Sequence, residues 1–99
     1  MTLPLFPAER AERPHTCHAR GCDRAVPPEL LMCGRHWRMV PRILQRAVWA
    51  AYRPGQCDDK RPSEAWHLAA DAAIGSVARA EGQPVRQVEL DAIRSFGIA

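Results

Sequence analysis

The feature that most constrains this chain is Cys17-x4-Cys22-x10-Cys33-x2-His36, four metal-binding side chain types within residues 17–36, "CHARGCDRAVPPELLMCGRH". A structural Zn²⁺ site is tetrahedral and closed by four thiolate or imidazole ligands. Such a shell is built from two ligand pairs, each close in sequence, which the fold brings together. Cys17 and Cys22 form the first pair, joined by a turn in which Gly21 can adopt positive φ. Cys33 and His36 are three positions apart, so at a helix start they face the same side. A helix N-terminus also favours thiolate charge. Three thiolates and one imidazole around Zn²⁺ carry a formal charge of −1, which nearby arginines would offset. Alternatives remain open at this level. His15 or His18 could replace one ligand, although His18 adjoins Cys17 and would normally point away. Cys57 could stand in for His36, but a partly exposed thiol in a loop is its simpler reading. An iron–sulfur centre would want a fourth nearby cysteine.

Ninety-nine residues allow one small domain. Apolar residues make up 46% of the chain but aromatics only 6%, so alanine supplies much of the apolar content. At ~25 cal/mol per Å² buried, a core of alanines is marginal, and a bound metal or a disulfide is the usual staple. "MTLPLFPAER" lacks a basic n-region, and Pro4 and Pro7 interrupt its apolar residues, so no signal peptide is expected. No run reaches the ~20 apolar residues of a bilayer span. The expectation is a cytoplasmic protein with reduced thiols, which favours a metal over disulfides.

The chemistry of an enzyme is missing. Four protein ligands would close the zinc shell, whereas a catalytic zinc keeps an open position. Nearby in sequence, Asp23 is the one carboxylate beside the cluster. The chain has no asparagine, which a His-Asn-His nuclease finger would need. The deaminase signature, GxSxG and phosphate-binding glycine loops are absent. A binding module without a small-molecule substrate is the expectation.

Residues 1–14, with three prolines and mixed charge, read as a flexible tail. Residues 15–82 read as a zinc-stabilised helical domain, and 83–99 as a C-terminal helix that is packed or peripheral. Pro27 and Pro28 hold the spacer extended. Helical spacing begins near Cys33, and Val40, Ile43, Leu44, Ala47, Val48 and Ala51 share one face. Pro41 either sits in the first turn of one helix or separates a turn at 33–39 from a helix at 41–53. "YRPGQ" ends it. Ser63 is the expected N-cap of a helix to residue 81, with Trp66, Ala70, Ala73, Val77 and Ala80 on its packing face. Val85, Val88, Ala92 and Phe96 mark the last helix, with Gly97 just past its end.

Charge is uneven. Residues 13–53 hold eight arginines against Asp23 and Glu29, while 54–99 hold five basic and seven acidic side chains. On a helical wheel Arg42, Arg46, Trp49 and Arg53 fall in one narrow arc, and Arg35 and Arg38 join it if the helix runs unbroken through Pro41. Guanidinium groups reach phosphates bidentately and an indole stacks on a base, so this face suits nucleic acid. A solvated charged face, or a Trp49 covered by the third helix or by the N-terminal tail, reads the same pattern without a ligand. Trp37 and Trp66 read as structural.

The segments "CHARGC", "LMCGRHW", "VPRIL" and "YRPGQ", within about residues 16–82, resemble a group of small zinc-finger-like accessory proteins of temperate phages and prophages. That resemblance implies Cys17, Cys22, Cys33 and His36 as zinc ligands. The group carries no assigned activity, but phage proteins of this size are usually binders. It implies a DNA-binding module in the host cytoplasm or an adaptor or inhibitor acting on a host protein. The fold expected is small and mostly α, with a treble-clef-like zinc knuckle leading into a helix packed by two further helices.

Overall fold

The computed structural model describes residues 15–98, which hold five helices: α1 (Gly34–Trp37), α2 (Arg42–Ala51), α3 (Gln56–Asp59), α4 (Glu64–Ala80) and α5 (Gln87–Ser95). The expected tail at 1–14 lies outside the described residues. The fold is small and mostly helical, with a Cys/His cluster preceding the long helices. The knuckle before α1 is closed by a single antiparallel bridge between Thr16 and Ala25. Cys17 N–H donates to the Arg24 carbonyl (2.9 Å) and Val26 N–H to the His15 carbonyl (2.8 Å). The hairpin therefore surrounds the first ligand pair, and its second arm takes up the start of the ten-residue spacer. Gly21 sits at φ 80°, the left-handed conformation that the turn requires.

Pro41 separates α1 from α2, at the N-cap of the latter with φ −54° and ψ 142°. The extended ψ rules out one continuous helix, so Arg35 and Arg38 do not continue the wheel of α2. α2 buries Leu44 and Val48 and leaves Ile43 half exposed. After "YRPG" the chain makes the short α3, where a loop was expected around Cys57.

α4 is the central element. Ser63 caps it, accepting from Trp66 N–H at 3.1 Å, and the same hydroxyl donates to the Ala51 carbonyl at 3.2 Å. One serine thus fixes the end of α2 to the start of α4. Both α2 and α5 pack on α4. For that reason the buried set is wider than the single face read from sequence: Ala69, Ala70, Ala72, Ala73, Gly75, Val77 and Ala78. Ala80 is exposed, and Trp66 is half-buried against the core.

α5 corrects the sequence reading in register. Val88 is exposed and Glu89 is fully buried beside Ala92 and Ile93. Gly75 lets α5 approach closely, because a Cβ there would stand 2.7 Å from Glu89 Cβ and 3.3 Å from Ile93 Cδ1. Real Cβ atoms do not come that close, so the helix pair depends on the missing methyl. Among the described residues no helix is long and apolar enough to cross a membrane.

Candidate metal centre and the arginine face

The hairpin and the start of α1 bring Cys17, Cys22, Cys33 and His36 together, with one ligand atom from each lying within 4.8 Å of all the others. This is the only such group of three or more donors among the described residues. Cys33 is the N-cap of α1, and His36 lies in its one full turn. His36 Nδ1 stands 3.3 Å from Cys33 Sγ and 3.6 Å from Cys17 Sγ. Cys17, Cys33 and His36 are buried, and Cys22 is partly exposed. The four donors could hold a metal ion.

The thiols are differently tuned. Burial pushes the Cys17 thiol up from its ordinary value. The backbone N–H of His36, at the start of α1, draws Cys33 down to about 6 despite burial, which makes it the more readily ionised ligand.

The other ring nitrogen of His36 reveals a residue that sequence reasoning missed. Its Nε2–H donates to Glu81 Oε2 at 3.1 Å. A carboxylate on the far nitrogen fixes the tautomer and presents the Nδ1 lone pair to the cluster. Glu81 is the C-cap of α4, so this bond also ties the knuckle to the central helix. Arg35 Nη2 approaches the same carboxylate oxygen at 4.0 Å. Replacing Glu81 by Gln is expected to weaken metal affinity about 10- to 100-fold, the usual cost of losing such a carboxylate. Competition against a chromogenic chelator measures it, and unchanged affinity would remove the orienting role.

The alternative ligands lie elsewhere. His15 Nδ1 is 3.3 Å from the Val26 carbonyl, and its Nε2 is 3.2 Å from His18 Nε2, so these two rings pair with each other. Burial and the neighbouring His15 hold the His18 imidazole below its ordinary value. Cys57 lies on α3, with its thiol 3.4 Å from Tyr52 Oη. His67 is exposed on α4.

The expected arginine row divides. Arg42 and Arg46 stand exposed on the outer side of α2, and Trp49 is 45% exposed rather than covered. The Trp49 ring is braced by Tyr52, with centroids 5.4 Å apart. Arg38, beyond the Pro41 break, is exposed, with Nη1 near Gly34. Among the described residues, none of Arg38, Arg42 and Arg46 makes an ion pair. Arg53 lies past the end of α2, where its guanidinium grips both oxygens of Asp59 and the Arg61 carbonyl. Its charge is neutralised within the α2–α4 connection. Arg35 turns toward Glu81 and the metal centre.

Comparison with protein families, curated proteins and solved structures finds no match to this chain.

Proposed function

We propose that this protein is a non-enzymatic, zinc-stabilised module of phage origin that binds nucleic acid through the outer face of α2. The donor set supports zinc. With bonds of ~2.3 Å to sulfur and ~2.0–2.1 Å to nitrogen, a tetrahedral zinc spans S···N edges of about 3.5 Å, close to the spacings around His36 Nδ1. Four protein donors leave no open position for substrate or water, as in structural rather than catalytic zinc sites. Zn²⁺ then acts as a fastener for the knuckle.

The observation that carries the nucleic-acid reading is an exposed indole beside cations that have no counter-charge among the described residues. Arg20, Arg53 and Arg86 each rest on a carboxylate, at Glu89, Asp59 and Glu89 respectively. Arg38, Arg42 and Arg46 rest on none among the described residues. Exposed guanidinium groups beside a large aromatic are the components of a phosphate-tracking, base-stacking surface.

Binding to a labelled oligonucleotide should fall steeply as salt rises, because each neutralised phosphate releases counterions. Reversing Arg42 and Arg46 to Glu should weaken binding and flatten the log–log salt slope by roughly 1.4–1.8, at ~0.7–0.9 per contact. Absence of any binding at low salt would remove this reading.

A second reading, an adaptor or inhibitor acting on a host protein, has its own support. Ala47, Ala50, Ala51, Ala65, Leu68 and Phe96 line a shallow apolar depression between α2 and α4, and Leu68 is 42% exposed there. A pull-down from nuclease-treated host lysate separates the two. A partner retained after nuclease and lost on Leu68→Asp supports the protein-binding reading.

A further inference from the structure

Beside the arginine face, a groove of about 100 Å³ opens between the spacer and the α1–α2 pair. Its walls are Leu30, Met32, Gly34, Trp37, Val48 and Trp49, so it is lined almost wholly by carbon. Two of those residues, Leu30 and Trp49, also present large apolar side chains to solvent, at 39% and 45% exposure. Arg38 reaches the rim, since its Nη1 lies 3.7 Å from where a Cβ on Gly34 would stand. Trp49 lies one helical turn beyond Arg46 and two beyond Arg42, so the indole shares their side of α2.

An apolar slot walled by two indoles and rimmed by cations suits a flat, largely apolar group attached to a chain of negative charges. We infer that the groove receives one unpaired base of a single-stranded nucleic acid, with the flanking phosphates on Arg38, Arg42 and Arg46. This rests on the nucleic-acid reading above and narrows it to single strands. A duplex keeps its bases stacked inside the helix and can offer this face only phosphates. A single strand can turn a base into the slot against Trp49. The charge complementarity argues against an apolar protein side chain as occupant, because such a partner leaves three uncompensated arginines beside it.

The test uses the full chain with its metal and three labelled DNA probes at low salt: a short mixed-sequence single strand, an abasic strand of the same length, and the corresponding duplex. The single strand is expected to bind about tenfold tighter than the abasic strand, within the range that base–aromatic stacking supplies. Trp49→Ala should bring that ratio to about one, and Trp49→Phe should retain most of it. The wild-type comparison needs no variant to fold. Equal affinity for base-bearing and abasic strands, or a duplex bound as tightly as the single strand, overturns the inference while leaving nucleic-acid binding in place. A Trp49→Ala protein with native circular dichroism and an unchanged ratio also overturns it. Failure of all three probes to bind overturns both this inference and the reading it rests on.

Discussion

Chelation is expected to unfold this protein. Among the described residues, seven of the sixteen buried apolar side chains are alanine, and two more, Cys17 and Cys33, belong to the Cys/His cluster itself. The large fully buried apolar side chains are Met32, Leu44, Ile93 and Val77. Met32 adjoins a ligand in sequence, so its place in the core depends on the knuckle. Structural zinc contributes about 10–16 kcal/mol of apparent binding energy in small fingers, whereas whole domains retain only about 5–15 kcal/mol of net stability. With zinc in the cluster as proposed, removing the ion takes away an energy as large as the whole reserve of a small domain. A strong chelator, or Cys33→Ser, should erase the cooperative melt and most of the helical circular dichroism. Returning Zn²⁺ to the chelated wild type should restore both. A metal-free chain that keeps its helical signal and melts cooperatively would show that α2, α4 and α5 hold themselves together.

Ligation and proton binding compete for the same sulfurs. With Cys33 drawn down to about 6, its thiolate is available to a metal at neutral pH. Retention of the ion should accordingly weaken as pH falls, first through proton competition at Cys17, whose thiol burial pushes up, and further below about 6 at Cys33.

Legibility from sequence followed separation along the chain. The four donors were readable because each pair is local, and local spacing survives folding almost unchanged. Glu81 was not, because it reaches His36 across 45 positions and no short pattern marks it. The N-cap at Ser63 and the positive φ of Gly21 were readable for the same local reason. Arg35 and Arg53 show the limit of a helical wheel. The wheel assumes a continuous helix, while Pro41 and the "YRPG" turn place both residues outside α2, one toward Glu81 and the other on Asp59. The exposure of Trp49 depended on where the last helix docks. Among the described residues α5 packs on α4 and leaves the outer face of α2 open, a long-range outcome that periodicity does not encode. Val88 and Glu89 illustrate the same point. A hydropathy pattern assigns valine to the core and glutamate to water, and Arg20 from 69 positions away, together with Arg86 at the N-cap, reverses that choice.

Replacing Glu89 should be the most damaging change away from the metal. Its side chain is fully buried, yet it carries a carboxylate that holds three elements at once. Arg20, in the turn between Cys17 and Cys22, donates from Nη2 to Oε2 at 2.7 Å. Arg86, the N-cap of α5, donates from Nε to Oε2 at 2.9 Å and from its backbone N–H to Oε1 at 3.1 Å. The Glu89 Cβ fills the space that Gly75 leaves on α4. Glu89→Ala removes the cap and the charge-assisted bonds from Arg20 and Arg86, while keeping the Cβ that packs over Gly75. Breaking a buried ion pair costs about 3–5 kcal/mol when the stranded charge stays dry. Here the Arg20 and Arg86 side chains are 25% and 59% exposed and can rehydrate, so a loss of about 2–3 kcal/mol is expected. For a domain of this size that lowers Tm by roughly 10–20 °C. Burial alone would raise the Glu89 carboxyl, but the hydrogen bonds from Arg20 and Arg86 outweigh it and hold it below its usual range. The unfolded chain therefore binds this proton first as pH falls. The stabilisation is complete above the unfolded value of ~4.3 and is lost as pH drops through the lower folded value. Glu89→Gln, which cannot ionise, should trail the wild type by a gap that closes over that acidic window. Both proteins are compared with Zn²⁺ in excess, and the gap is read over the pH range in which each still melts cooperatively. A gap that stays constant with pH would mean that Glu89 contributes through shape and capping rather than through its charge.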